Sequence, residues 1–312
     1  DELGIEPGLE LRSLAGRVLN QDPSLGWTAL PASPGGLIKP TRAFVGRKKE
    51  LADLWQGLAD IQGGYGSLFL ISGEPGIGKT ALAEQFVVHV AEQEARVLSG
   101  HCWESGGAPA YWPWVQCLRV LVRESEPGVL ATQLGVGAAD LAEIVPELRE
   151  YGLDLPRPLS ADAEGLRFRL FDAVSTLLRE EARTKPIVLV LEDLHAADAS
   201  SLLLLRFVAR ALTDSRLLVI ATTRSSDRAA TEPFAGTLAE LARAQRFHHI
   251  RLGGLSRDDV AELVAATGDV AAPDELVDRI YARTDGHPFF VGKLAHLLAT
   301  DSDLNVLPQG VR

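Results

Sequence analysis

The chain has 312 residues, of which 46% are hydrophobic and 23% are charged, an ordinary balance for a globular protein with room for two or three domains. The formal net charge of −11 argues against this chain binding nucleic acid unaided, because a phosphate backbone attracts a surplus of Lys and Arg. The apolar runs are far shorter than a membrane span and no signal-peptide pattern opens the chain, so we expect a cytoplasmic protein without membrane contact.

The start of the chain predicts a helical fragment followed by a linker. Apolar residues at helical spacing between Leu9 and Leu19 predict a short amphipathic helix within residues 1–27. Residues 28–43 are rich in Pro and Gly, a composition typical of linkers. The sequence contains no methionine, and we therefore expect it to be a piece of a longer protein.

Five short segments predict five strands, at residues 67–72, 95–100, 187–191, 217–223 and 247–252, of which the first, third and fourth are the most continuously apolar. Helical patterns lie before, between and after these runs, most clearly at 47–61, 79–94 and 163–182. Continuous apolar runs separated by helices are typical of a parallel sheet that is covered on both faces. The pattern therefore predicts an α/β domain over residues 44–252, followed by a small helical domain over residues 253–300.

The stretch GEPGIGKT, residues 73–80, matches the phosphate-loop pattern G-x-x-x-x-G-K-[S/T] in full, between a predicted strand and a predicted helix. Its glycines allow a tight turn whose N–H groups face phosphate oxygens, and the N-terminus of the helix adds partial positive charge. Lys79 would reach the β- and γ-phosphates, and the Thr80 hydroxyl would bind Mg²⁺. A glycine-rich turn without a ligand is the alternative. No N-K-x-D pattern for guanine occurs, which favours adenine.

Charged residues follow the next two long apolar runs. Glu192 and Asp193 come directly after the strand at 187–191, and the carboxyl ends of parallel strands face the ligand crevice. One carboxylate can hold Mg²⁺ while the other orients the attacking water, although a solvated acidic turn is the alternative. Arg224 ends the following strand, where its charge can contact a γ-phosphate and distinguish a triphosphate from a diphosphate. A surface arginine is the alternative at that position.

Cysteine, histidine and aromatic residues predict no second site. Cys102 and Cys117 are expected to be buried free thiols. The histidines, such as His195, match no metal-ligand spacing. The aromatic cluster at residues 111–114 could stack on a base, but its place in a helical run favours a position in the core or at an interface.

Five motifs, in order along the chain, resemble those of the STAND class of signal-transduction P-loop ATPases, within the wider AAA-like lineage. The matching stretches are FVGRKKEL (44–51) for the opening hhGR motif, GEPGIGKT for the Walker A motif, LVLEDLHAAD (189–198) for the Walker B motif, LLVIATTR (217–224) for the sensor-1 strand and GHPFF (286–290) for the G-x-P motif of the lid. The resemblance implies ATP, ADP and Mg²⁺ as ligands and a helical lid over the nucleotide. The Walker B motif here has Glu192 where Asp is usual, which leaves open which carboxylate contacts Mg²⁺.

The same resemblance implies a full set of site residues. The backbone of the opening motif would lie along adenine, and Pro288 would pack near adenine and ribose. The implied nucleotide contacts are Val45, Gly46, Arg47, Gly73, Pro75, Gly76, Ile77, Gly78, Lys79, Thr80, Ala81 and Pro288. The implied metal ligands are Thr80, Glu192 and Asp193, and the candidate catalytic residues are Asp193, Glu192 and Arg224.

The two ends of the chain narrow the resemblance. The N-terminal stretch ELGIEPGLELRSLAGRVLNQDPSL resembles the last helices of the bacterial transcriptional activation domain. That domain occurs in large regulators of the Streptomyces antibiotic regulatory protein (SARP) family. At the other end, LPQGVR, within residues 301–312, resembles the lead-in to a winged-helix domain. This implies a slowly hydrolysing ATPase switch in a transcriptional activator of secondary metabolism such as antibiotic biosynthesis. It also implies self-association on ATP binding, with DNA contacts only through parts outside this chain. A LuxR-type STAND regulator, a DNA-stimulated ATPase motor or loader, and a nucleotide-binding scaffold without hydrolysis are the alternatives.

Overall fold

The computed structural model describes residues 44–90, 93, 95–103, 107–151, 162–225, 232–268 and 272–300. All of them fall within the structural unit Lys39–Arg312. The predictions for residues 1–27, 28–43 and 301–312 lie outside the described residues, so the N-terminal helix, the linker and the winged-helix lead-in stay predictions.

Five strands form one sheet: β1 (Ser67–Gly73), β2 (Arg96–His101), β3 (Ile187–Glu192), β4 (Leu217–Arg224) and β5 (Phe247–Arg251). Their order across the sheet is β2-β3-β4-β1-β5, and all neighbouring pairs are parallel. Each predicted apolar run forms one of these strands, so the predicted α/β fold is confirmed. Because β4 lies between β1 and β3, the strand before the phosphate loop and the strand before the acidic pair are not neighbours.

Eleven α-helices are described: α1 (Lys48–Gln62), α2 (Lys79–Val90), α3 (Trp112–Glu124), α4 (Pro127–Leu134), α5 (Gly137–Leu141), α6 (Ala163–Thr184), α7 (Ala199–Arg210), α8 (Glu232–Leu241), α9 (Arg257–Gly268), α10 (Asp274–Thr284) and α11 (Pro288–Thr300). Short 3-10 helices occupy Pro146–Tyr151 and Leu194–Ala196. The predicted helices at 47–61, 79–94 and 163–182 correspond to α1, α2 and α6. Within the described ranges, no helix combines the length and the apolar character that a membrane crossing requires.

Alternate residues of the strands enter two apolar cores on opposite faces of the sheet. In β1, Leu68 and Leu70 pack with α3 to α8, whereas Phe69 and Ile71 pack with α1 and α2. This burial on both faces is why the central strands β1, β3 and β4 are continuous apolar runs in the sequence. Trp114 is 1% exposed in the first core, and its indole N–H donates to a backbone carbonyl of α7, so this member of the aromatic cluster is a core residue.

A third apolar core holds α9, α10 and α11 together; these three helices, which the resemblance assigns to a lid, are called the lid below. Val260 and Val291 are fully buried in it, and Val45 joins them from the segment before α1. α9 begins after a reciprocal cap, in which the Asp259 N–H donates to Ser256 Oγ at 3.2 Å and the Ser256 N–H donates to Asp259 Oδ2 at 3.2 Å. Val45 therefore packs the start of the predicted domain over residues 44–252 into the core of the lid.

Candidate functional site

The phosphate loop joins the carboxyl end of β1 to the N-terminus of α2. Gly76 (φ 80°) and Gly78 (φ 101°) adopt left-handed backbone conformations, which favour glycine and allow the chain to turn sharply. Ile77 is buried in the core beneath α1 and α2, while Pro75 and Ala81 are exposed on the loop and the first turn of the helix. The positive end of the α2 dipole therefore lies at the loop, as anion binding requires.

Lys79 is held at the loop by backbone carbonyls. Its Nζ donates to Gly73 O at 3.1 Å and to Glu74 O at 3.0 Å, and the residue is only 8% exposed. Burial lowers the pKa of Lys79, the negative charge of Asp193 opposes this shift, and the positive charge of Arg224 adds to it. The two carbonyls are neutral acceptors, and a phosphate oxygen would offer the ammonium a stronger, charge-assisted hydrogen bond.

Thr80 and Glu192 meet across the crevice, although they lie on α2 and β3. Thr80 Oγ1 donates to Glu192 Oε2 at 2.9 Å. Burial raises the pKa of Glu192, whereas the hydrogen bond from Thr80 and the charge of His101 lower it. A hydroxyl and a carboxylate are hard oxygen ligands of the kind Mg²⁺ uses together with phosphate and water oxygens, so these residues fit that ion.

Asp193 has different neighbours from Glu192, because the backbone turns between them. Asp193 adopts the left-handed conformation (φ 54°, ψ 47°), and its N–H donates to Thr222 Oγ1 of β4 at 3.0 Å. Its carboxylate lies 3.8 Å from His101 Nε2 and 4.0 Å from His195 Nδ1. Sequence reasoning missed His101 and Thr222 as neighbours of the acidic pair; both lie at the carboxyl ends of strands, which is the signal that could have found them.

Arg224 lies beside the phosphate loop. It is the ladder partner of Gly73 in the β1–β4 pair, and the N–H of the following Ser225 donates to Gly73 O at 3.2 Å. Its side chain is exposed, and its charge acts on Lys79. The structure thus brings Arg224 to the predicted place, and its contact with a γ-phosphate stays a prediction.

The opening motif lies between the phosphate loop and the lid. The Arg47 side chain is 8% exposed, and its Nη2 donates to Ile77 O at 3.2 Å and to Gly253 O at 2.5 Å. A Cβ added to Gly46 would lie 2.7 Å from the Asp259 carboxylate of α9. The predicted adenine-binding segment is therefore also a connection between the two parts of the site.

The lid contacts the phosphate loop directly. A Cβ added to Gly76 would lie 3.0 Å from Phe289 Cβ and 3.2 Å from His287 Cε1. Pro288, between these two residues, is half-buried and begins α11. Gly286 (φ 70°) lies very close to the backbone before α9. A Cβ added to Gly286 would be 2.1 Å from the carbonyl oxygen of Leu255. Sequence reasoning assigned a role only to Pro288 here and missed His287 and Phe289.

The two cysteines lie near the acidic pair, but their thiols are held in the protonated, unreactive form. Cys102 and Cys117 are free and buried, as predicted. Burial, together with nearby carboxylates, raises the pKa of Cys102 to about 12, and burial also raises the pKa of Cys117. Among the histidines, His249 Nε2 shares a 2.8 Å hydrogen bond with Ser72 Oγ.

Comparisons with known proteins agree with this geometry. The family model for the AAA ATPase domain matches residues 43–220. The chain is 35% identical over 103 residues to regulatory protein AfsR of Streptomyces griseus, covering 31% of this chain and 10% of that protein. It is 28% identical over 199 residues to an uncharacterized protein of Rhizobium meliloti (strain 1021), covering 59% of this chain and 19% of that protein.

In fold, the chain is similar to the Walker-type ATPase of Pyrococcus abyssi, with a TM-score of 0.51 at 16% identity over 85% of this chain and 71% of that one. The chain spans only a small part of the two curated relatives, 10% and 19% of their lengths.

Proposed function

The chain belongs to the AAA ATPase domain family, and on that premise we propose that it is a nucleotide switch of the STAND type that binds ATP and ADP and hydrolyses ATP slowly. The observation that carries this proposal is that the lid packs on the phosphate loop. His287 and Phe289 of the lid lie close to Gly76, and Arg47 donates hydrogen bonds both to Ile77 O of the loop and to Gly253 O before α9. Because the lid contacts the loop that would hold the phosphates, the number of phosphates bound can bias the position of the lid.

In this proposal each part of the site has one task. Lys79 and the loop backbone bind the phosphates, and Thr80 and Glu192 hold Mg²⁺, which neutralises phosphate charge when bound. Asp193 orients the attacking water, and Arg224 contacts the γ-phosphate. The 2.9 Å contact between Thr80 and Glu192 supports Glu192, rather than Asp193, as the carboxylate nearest the metal.

The adenine side of the site is formed by the opening motif and the lid. The backbone of Val45, Gly46 and Arg47 would lie along the base, and Pro288 would pack near adenine and ribose. Both segments meet at the lid: Val45 belongs to the lid core, and Pro288 begins a lid helix. Nucleotide binding would therefore involve lid residues at the base as well as at the phosphates.

We further infer that the switch belongs to a larger cytoplasmic transcriptional activator of the SARP family that acts in secondary metabolism. The similarity to a Streptomyces griseus regulatory protein supports this assignment, as does the resemblance of the N-terminal segment to an activation domain. ATP binding would promote self-association, and DNA would be contacted by other parts of the protein. The net charge of −11 is consistent with this division of tasks.

The first test is a nucleotide titration of the parent chain and of Lys79→Ala. We expect the parent to bind ATP and ADP and Lys79→Ala to bind both at least about 100-fold more weakly, because the buried ammonium contacts the phosphates directly. Lys49→Ala, an exposed lysine in the first turn of α1, is the matched control and should bind like the parent. Equal affinity of Lys79→Ala and the parent would refute the phosphate-loop assignment.

A steady-state ATPase assay with and without DNA separates the switch from a motor. A switch is expected to turn over slowly and to ignore DNA, since no surplus of basic residues attracts DNA to this chain. Rapid turnover that DNA stimulates would favour the motor or loader instead. Intact ATP after prolonged incubation would favour a scaffold without hydrolysis.

A further inference from the structure

His287 carries a buried polar atom that the fold itself does not satisfy. The residue is 8% exposed, and its Nδ1 is buried without a hydrogen-bond partner among the residues that the structure describes. The backbone of His287 is satisfied: its N–H donates to Thr284 O at 2.9 Å, and its carbonyl accepts from Val291 N at 3.0 Å. The large majority of buried side-chain nitrogens have a partner, so an unpartnered one requires an explanation.

The position of the ring suggests where the partner lies. Cε1, the carbon between Nδ1 and Nε2, is 3.2 Å from the position of a Cβ added to Gly76, in the middle of the phosphate loop. The ring packs against Phe290 with a centroid distance of 4.9 Å, and the close approach of Gly286 to the backbone before α9 holds the segment in place. The unpartnered nitrogen is therefore one bond from the atom that faces the loop.

We propose that His287 is a nucleotide-binding residue whose Nδ1–H donates a hydrogen bond to the phosphate chain, so that nucleotide binding holds the lid against the loop. This inference rests on the proposed function, and it adds a phosphate contact from the lid. A phosphate is preferred over the base as the partner because Cε1 of the ring lies beside Gly76, in the middle of the phosphate loop. Without nucleotide, Nδ1 of His287 is buried and has no hydrogen-bond partner among the described residues. When nucleotide is bound, the hydrogen bond to phosphate supplies that partner.

Three substitutions separate this role from packing. In His287→Asn the amide nitrogen can take the place of Nδ1, in His287→Gln it takes the place of Nε2, and in His287→Leu no donor remains. We expect ADP and ATP to bind about tenfold more weakly to the Leu and Gln variants, because a hydrogen bond to a charged group is lost, and within about threefold of the parent to the Asn variant. Equal affinities for the parent and the Leu variant would overturn the proposal, as would equal losses in the Asn and Gln variants.

Thermal unfolding provides a second readout that a merely structural role would not produce. His287→Leu removes an unsatisfied buried nitrogen, so the Tm without nucleotide should stay equal or rise, while the rise in Tm on adding ADP should shrink. A lower Tm with an unchanged ADP shift would show that His287 only packs. If the Leu variant does not fold, the Asn and Gln pair decides the question.

Titration of the parent chain distinguishes a failure of the proposed function from a failure of the role assigned to His287. A parent that binds no nucleotide would contradict the proposed function and, with it, this inference. A parent that binds nucleotide, alongside a Leu variant of the same affinity, would contradict only the role of His287.

Discussion

At the level of single residues, the two carboxylates at the end of β3 differ in their neighbours. Glu192 accepts a hydrogen bond from Thr80 in α2, whereas Asp193 turns towards His101 and His195. The sequence predicts that the pair lies at the ligand crevice, since it follows a buried strand. The sequence cannot predict which of the two acids accepts the hydrogen bond from Thr80. That contact depends on the left-handed backbone at Asp193 and on the position of α2 relative to β3.

Substitution of each acid should separate metal binding from hydrolysis. We expect Asp193→Ala to slow single-turnover ATP hydrolysis by about 100-fold or more, with a much smaller loss of ATP affinity, because a water-orienting group acts mainly in the transition state. Glu192→Ala should instead raise the Mg²⁺ concentration needed for half-maximal hydrolysis by at least about tenfold. Asp214→Ala, an exposed acid before β4, is the control. If both site variants hydrolyse ATP as the parent does, the pair is only a turn.

The two thiols give a prediction about pH and reactivity. Because the pKa of Cys102 is raised to about 12, only about one thiol in 10⁴ is ionised at pH 8, and the thiolate is the reactive form. Cys117 is fully buried, and its pKa is also raised. We therefore expect no labelling of the folded protein by a thiol reagent at pH 8 and labelling of both cysteines after unfolding. Rapid reaction of the folded protein at either cysteine would contradict the burial described for them.

At the level of elements, hydrogen bonds and close approaches connect the opening motif, the phosphate loop and the lid. The hydrogen bonds of Arg47 to Ile77 O and Gly253 O join the loop to the segment before α9. The contact of His287 and Phe289 with Gly76 joins the loop to α11. Motif order alone predicts that these segments share a site. The contacts themselves could not be predicted, because they depend on how the lid packs on the sheet domain.

Removal of the Arg47 side chain should loosen the lid. In Arg47→Ala the hydrogen bonds to Ile77 O and Gly253 O are lost, together with the 3.5 Å contact of Arg47 Nη1 with Glu50 Oε1. We expect the free energy of unfolding to fall by about 2 kcal/mol and amide exchange of residues 253–256 to become faster. Lys48→Ala is the matched control, since Lys48 is the next residue along and is exposed. Unchanged exchange at residues 253–256 in Arg47→Ala would show that Arg47 does not hold the lid.

The two glycine positions Gly76 and Gly64 offer a test of the contact between lid and loop. Both have a positive φ (80° and 90°), so an alanine at either is strained to a similar degree. Only Gly76→Ala also brings a Cβ within 3.0 Å of Phe289, whereas nothing lies within 4 Å at Gly64. We expect limited proteolysis of the lid to accelerate in Gly76→Ala alone. Equal proteolysis of the two variants would mean that the lid does not rest on the loop.

At the level of the whole molecule, the sequence predicts the strands and helices better than their arrangement. Continuous apolar runs identify the three central strands, β1, β3 and β4, because helices cover both faces of the sheet there, whereas the edge strands β2 and β5 contain exposed residues. The order of the strands is not encoded in any local pattern: β4 lies between β1 and β3 and thereby brings Thr222 to Asp193 and Arg224 to Gly73. The lid core includes Val45, a long-range contact that helical periodicity cannot indicate.

The most direct test of the proposed switch is the distance between the lid and the sheet domain in two nucleotide states. Spin labels on Gln62→Cys in α1 and Glu262→Cys in α9 would occupy exposed positions, and the buried native cysteines should stay unlabelled. We predict that the distance distribution with ADP differs from that with Mg²⁺ and a non-hydrolysable ATP analogue, and that Lys79→Ala abolishes the difference. Identical distributions in the two states, with both nucleotides shown to be bound, would contradict the proposal that this chain is a switch.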